Sequence, residues 1–156
     1  VTAPLWDLPD PHIVPVRVAA SDIDAYGHAN NAVYVRWVDQ AAWSHSTRLG
    51  VPAERCVALD RGMVVVRTAL AYLRPAFRDD GLQVATWIAT GGSRLKVGRR
   101  FQIVRPADGM TLARATIEYA CIELSSGRPA RWPPAFTDAY QPLPTTLARL
   151  ATLPPL

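Results

Sequence analysis

Cysteine is scarce in this 156-residue chain, and the two present, Cys56 and Cys121, stand apart with no Cys-x-x-Cys pair and no histidine-rich spacing. That pattern argues against both a disulfide framework and a zinc site, so no metal is expected. Lysine is scarcer still. Lys96 is the only one, and the formal charge of +4 therefore rests almost wholly on arginine, a side chain suited to planar, bidentate contacts with phosphate. The arginines are spread along strand-like segments rather than gathered on one helix with interleaved aromatics. This distribution counts against nucleic acid and favours a small phosphorylated ligand. No stretch approaches the roughly 18 uninterrupted apolar residues of a membrane span. Residues 1–15 show no basic region followed by an apolar one, so a cytoplasmic protein with no membrane partner is expected.

What is present is enough apolar material for one core: 49% of the residues are hydrophobic, at a length typical of one domain. The expectation is a single domain over residues 1–156, with an ordered core of about residues 13–134 between proline-rich ends. Pro4, Pro9, Pro11 and Pro15 make residues 1–15 an extended lead-in, because proline fixes φ and removes a backbone donor. Ile13 to Ala20, with β-branched Ile13, Val14, Val16 and Val18, reads as a first strand.

From Asn31 the period changes. Tyr34, Trp37, Val38, Ala41, Ala42 and Leu49 recur at helical spacing, with Asn30 or Asn31 available as the cap and Gly50 and Pro52 as the stop. After a loop from Val51 to Gly62 come four strand candidates. Met63 to Leu73 and Leu82 to Thr90 are nearly continuous apolar runs, which predicts strands buried on both faces or lying under the helix. Val97 to Arg105 and Thr111 to Leu124 flank Pro106-Ala107-Asp108-Gly109 and predict an antiparallel hairpin. Beyond Arg128 only a short helix within Thr145 to Leu153 is expected. The fold class is α+β, one long helix packed on an antiparallel sheet of about five strands.

The densest set of chemically able side chains lies between the first strand and the helix: Asp22, Asp24, Gly27, His28, Asn30 and Asn31. A helix start presents unpaired N–H groups and the positive end of a dipole, able to hold an oxyanion developing on an attacked thioester carbonyl. A nearby carboxylate can attack, or activate water. Gly27 allows close backbone approach or a left-handed conformation, and His28 can donate or transfer a proton near neutral pH. Asp, Asn and Gly are also the commonest turn and cap formers, which suffices for Asp22 or Asn30 taken singly. A turn alone has no need of two aspartates, a histidine and two asparagines within ten residues.

The run Asp22-x-Asp24-x-x-Gly27-His28-x-Asn30-Asn31-x-x-Tyr34 resembles the signature of hotdog-fold acyl-CoA thioesterases related to 4-hydroxybenzoyl-CoA thioesterase. It is also similar to the Asp-x-Asn-x-His-Val-Asn-Asn motif of plant acyl-ACP thioesterases, although Tyr26 stands where those enzymes have a network asparagine and Ala29 where valine is usual. Tyr72-x-x-Pro75, Asp79-Asp80-Gly81 and Gly127-Arg128-Pro129 follow the same family, so the resemblance covers about Ile13 to Pro134. It implies a hotdog fold, hydrolysis of an acyl-CoA thioester to an acid and free CoA, and no cofactor beyond the CoA of the substrate. It further implies catalytic roles for Asp24 as nucleophile or general base, for the backbone N–H near Asn31, and for His28. Gly27, Asn30 and Tyr34 would contact substrate, and Asp39 would orient groups from a partner subunit. The family's habit of joining sheets implies a homodimer or homotetramer, a conclusion that the apolar run Met63-Val64-Val65-Val66 supports independently if it lies at an edge.

For the CoA phosphates the candidates are Ser93, Arg94 and Lys96 beside the Gly91-Gly92 turn, with Arg99 and Arg100 following. His12 and His45 fall away from the motif and read as structural or solvent-facing. Two rival functions remain: a hotdog dehydratase or hydratase acting on 3-hydroxyacyl thioesters, in which His28 would exchange protons, and a non-catalytic acyl-CoA binding module.

Overall fold

The computed structural model describes residues 5–91 and 93–153. Five strands, β1 (His12–Arg17), β2 (Arg61–Tyr72), β3 (Gly81–Thr90), β4 (Lys96–Arg105) and β5 (Met110–Glu123), form one antiparallel sheet in the order β1-β3-β4-β5-β2. The helix α1 (Asn31–Arg48) crosses one face of it. This is the hotdog arrangement expected from the sequence, and β4 and β5 form the expected hairpin.

The reasons for α1 are local first. The Asn30 side chain accepts from the Ala32 N–H and so satisfies one orphan donor of the first turn. At the other end Gly50 takes a φ of 85°, its N–H donating to the Thr47 carbonyl while Val51 donates to Ser46. Between them Tyr34, Trp37, Val38, Ala41 and Ala42 are buried against Val84, Ile88, Phe101 and Ala115 of the sheet. Each large side chain in that layer contributes roughly 1.5–3 kcal/mol by leaving water, which far exceeds the cap term.

The strand β5 alternates as its sequence does, with Ala113, Ala115, Ile117, Tyr119 and Cys121 buried on the α1 face. The strand β3 is buried through its centre, as its apolar run predicts. The run in β2 behaves differently. Strand β2 is an edge, and Val65 and Val66 are about half exposed, since no other element among the described residues covers them. A bulge between Val65 and Arg67 interrupts its pairing with β5.

Several expectations at the margins are corrected. Regular structure begins within the proline-rich lead-in: β1 starts at His12 and includes Pro15, tolerated because β1 is the other edge of the sheet. Residues 18–22 are not strand but lead into a single 3-10 turn, Ala20–Asp22. The segment read as a loop carries α2 (Ala53–Ala58), and order continues past residue 134 into α3 (Pro134–Ala139), while α4 (Pro144–Leu150) is the short helix expected within Thr145 to Leu153. Phe136 is fully buried in the main core, so this end is part of the domain rather than a tail. On the opposite face of the sheet the lead-in itself packs down. Leu8 is buried with Trp87, Asp7 pairs with Arg114 at 2.6 Å, and the Trp87 indole donates to the Pro9 carbonyl at 2.7 Å.

Candidate active site

The segment from Asp22 to Asn31 is folded on itself by its own polar groups. Asp22 is buried; one of its carboxylate oxygens accepts from the Ala19 N–H and the other pairs with Arg36, making it the structural acid of the loop. Asp24 is partly exposed. Its N–H donates to the His28 carbonyl at 2.9 Å, its carbonyl accepts from Gly27 at 3.0 Å, and Oδ1 accepts from the Tyr26 N–H at 2.9 Å. This closes a tight turn in which Oδ1 is occupied while no bond to Oδ2 is recorded among the described residues. Gly27 supplies the left-handed residue of the turn, with a φ of 77° and open space where a Cβ would point.

His28 is exposed at the lip of the turn, its ring edge-on to Phe77 at 5.3 Å. Ala29 is buried and donates to the Ala76 carbonyl, which holds the whole loop against the segment that follows β2. At the start of α1, Asn30 Oδ1 takes the Ala32 N–H and the Asn30 carbonyl takes that of Val33. The Asn31 N–H is left without an acceptor among the described residues. It is therefore an available donor at the positive end of an 18-residue helix, a few residues from a carboxylate. Tyr34 is 2% exposed, and its hydroxyl accepts from the Ala76 N–H at 3.0 Å, so it supports the loop from beneath.

The turn carrying Ser93, Arg94 and Lys96 lies elsewhere. Ser93 Oγ accepts from the N–H groups of Leu95 and Lys96, and all three side chains are exposed. Lys96 pairs with Ala120 of β5, whereas Tyr72, whose hydroxyl reaches the Asn31 carbonyl, pairs with Ala113. Seven residues of strand separate these levels, roughly 23 Å at the usual rise. Within one chain, then, the anion-binding candidates and the helix start sit at opposite ends of the sheet. Arg99 does not join the exposed arginines: it is buried under α1, donating to His45 Nδ1 at 2.8 Å and to Ser46 Oγ at 2.9 Å.

That last cluster was not legible from spacing. The His12 and His45 rings stack at 4.9 Å, His12 Nε2 meets Ser44 Oγ at 2.9 Å, and Arg99 lies over the Tyr140 ring. Burial, with Arg99 beside it, lowers the His45 pKa to about 3, and burial with Arg48 nearby lowers that of His12. The only sequence signal was the helical offset that puts His45 and Ser46 on the sheet side of the last turn of α1.

A hotdog-fold protein with a polar loop at the head of its long helix is what this sheet, helix and loop define. The thioesterase-like superfamily profile matches residues 18–140, and the chain belongs to that superfamily. It is similar to the long-chain acyl-CoA thioesterase FadM of Escherichia coli, at 25% identity over 71% of this chain and 83% of that protein. It is 36% identical to zebrafish (Danio rerio) protein THEM6 over 56% of its own length, a match that spans only 43% of that relative. Among solved structures, the Synechocystis 1,4-dihydroxy-2-naphthoyl-CoA thioesterase Slr0204 shares the fold with a TM-score of 0.76 at 20% identity, over 84% of this chain and 96% of the other.

Proposed function

We propose that this protein hydrolyses an acyl-CoA thioester to a carboxylic acid and free CoA. The observation that carries the reading is the unpartnered Asn31 N–H at the head of α1, set in the same folded loop as the Asp24 carboxylate. In this scheme the thioester carbonyl oxygen accepts from the Asn31 N–H, which stabilises the oxyanion as the carbonyl carbon becomes tetrahedral. Asp24 either attacks that carbon, forming a mixed anhydride that water then cleaves, or takes a proton from the attacking water; the C–S bond breaks, and the CoA thiolate takes up the water's proton to leave as the thiol. His28, at the exposed lip, donates to the substrate or the water. Gly27 and Asn30 keep the backbone of the loop at the substrate's surface, and Tyr34 holds the loop's floor against Ala76. No metal or redox cofactor enters the scheme, and CoA arrives as part of the substrate. The two buried free thiols, Cys56 and Cys121, support a cytoplasmic setting.

A homodimer completes the proposal. If the uncovered edge of β2 pairs antiparallel with the same strand of a second copy about its midpoint, the two-fold axis reverses the sheet's ends. The partner's Ser93–Lys96 turn then comes level with this chain's Asn31. The two are offset by about three strand spacings, roughly 14 Å, a distance that an extended CoA tail spans. Ser93, Arg94 and Lys96 would thus hold the phosphates of substrate bound at the neighbouring chain's helix start.

The test is thiol release from short, long and aromatic acyl-CoAs, comparing the wild type with Asp24→Asn. Release that is lost in the variant supports the assignment; undiminished release in the variant refutes it.

A further inference from the structure

Arg99 is 3% exposed beneath α1, yet no carboxylate lies within 4.0 Å of it among the described residues. Its hydrogen bonds run to neutral acceptors, His45 Nδ1 and Ser46 Oγ, and the Tyr140 ring beneath it is neutral too. A buried guanidinium left without a counter-charge is costly, because desolvation is offset only by a matching anion or by full hydrogen bonding. The same wall holds a second unspent donor. Tyr119 is buried and its hydroxyl has no partner among the described residues. Burial pushes the Tyr119 phenol up to about 12, so it keeps its proton at neutral pH.

Both residues line one cavity of about 70 Å³, whose other walls include Trp43, Met63, Val65 and Val97. That volume is about two waters' share of the liquid, room for the end of a chain and not for a whole acyl group. The approach to it is apolar apart from Asp39. Val35, Asp39 and Trp43 follow Asn31 at intervals of four along α1, and Val35 and Trp43 remain partly exposed. At 1.5 Å per residue Asp39 lies about 12 Å from the helix start. Strand β2 runs beside this stripe, from Tyr72 at Asn31 to Val65 and Met63 at the cavity. Asp39 stands on the cavity's exposed side, and its apolar surroundings raise its carboxyl above the ordinary value. Tyr119 lies close enough to feel both Asp39 and Arg99.

Resting on the thioesterase reading, we infer that this cavity receives the far end of the acyl group and that this end bears a carboxylate. The substrate class is thus the CoA monothioester of a dicarboxylic acid, its chain lying along the stripe between α1 and β2 and its free carboxylate accepting from Arg99 and Tyr119. A plain alkyl end would leave the Tyr119 hydroxyl unpaired and the Arg99 charge without an anion.

The inference is tested first by binding, with hexanoate and 1-hexanol as probes of equal length and isothermal titration calorimetry as the readout. Hexanoate is expected to bind on the order of tenfold tighter, as charge-assisted hydrogen bonds are worth more than neutral ones. Arg99→Met should abolish the preference and Tyr119→Phe reduce it; the second variant keeps the test informative if the first fails to fold. Thiol release is then compared for acyl-CoAs of matched length ending in methyl or in carboxylate. Equal binding of the two probes, or a preference that survives both substitutions, overturns the inference. Thiol release that ignores the chain end also overturns it while leaving the thioesterase reading intact. Arg99-dependent hexanoate binding with no release from any acyl-CoA supports the carboxylate cavity and removes the thioesterase reading instead.

Discussion

The Tyr72 hydroxyl donates to the Asn31 carbonyl at 2.9 Å, joining residues 41 apart in the chain. Tyr72 ends the uncovered edge strand and Asn31 begins the long helix, so the proposed oxyanion donor is braced by the strand through which two copies would pair. Assembly and chemistry are therefore expected to fail together. Val66, about half exposed at the β2 bulge, is the residue to charge. Val66→Lys is expected to shift the species seen by sedimentation from dimer to monomer, since an edge lysine must lose water to pair. Thiol release should fall with it, while the far-ultraviolet spectrum stays that of the folded chain.

Asp24→Asn is expected to lower kcat by roughly 10²- to 10⁴-fold, the range for removing one acid–base group. The fold should persist, because an asparagine Oδ1 can keep the bond from the Tyr26 N–H that Asp24 accepts. Asp24→Ala loses both functions. A melting temperature lower for the alanine variant than for the asparagine one, at equally low turnover, would separate the chemical role from the turn-closing one.

The contiguous loop from Asp22 to Asn31 was legible because its members are neighbours in sequence and its helix announces itself by a change of period. The hairpin of β4 and β5 was legible for the same reason, through a proline-glycine turn between alternating runs. The exposure of β2 was not. An apolar run says that a strand is covered, and leaves open whether the cover comes from the same chain or another. The proline-rich end beyond Arg128 was expected to hold no helix before Thr145, yet proline is well suited to the first helical position, and α3 starts at Pro134 and buries Phe136. The meeting of His12, His45 and Arg99 depends on long-range strand order, which no local spacing encodes.

Tyr34→Phe is a stability test of the loop's floor. The Tyr34 hydroxyl is the acceptor for the Ala76 N–H at 3.0 Å, and the site is buried. Removing that acceptor leaves a buried donor unpaired, at a cost of about 1–3 kcal/mol. Urea unfolding is expected to show a loss of that size, with turnover reduced far less than in the Asp24 variants.

Gly27→Ala isolates backbone conformation from packing. At a φ of 77° the added Cβ meets nothing within 4 Å, so the penalty is the left-handed conformation itself, about 1–2 kcal/mol. Gly27→Asn is expected to lose less, since asparagine tolerates that region better than alanine. Equal losses for the two would mean that the turn has rearranged.

The histidine cluster sets the acid side of the stability curve. His45 in the folded chain titrates at about 3, against 6.5 for an unperturbed histidine, and the folded-state value of His12 is also lowered. Below 6.5 the unfolded chain takes up these protons and the folded chain does not, so the unfolded state binds more. Stability is therefore complete above about 6.5 and falls as the pH drops towards 3. For His45 the slope is at most about 1.4 kcal/mol per pH unit, and less because the ring is partly exposed. Urea midpoints measured from pH 7 to 5 should fall steadily, a window above the ordinary carboxylate range and so dominated by histidine. His45→Gln, which keeps an acceptor for Arg99 and carries no titrating proton, should flatten that slope; an unchanged slope would assign the acid sensitivity to other groups.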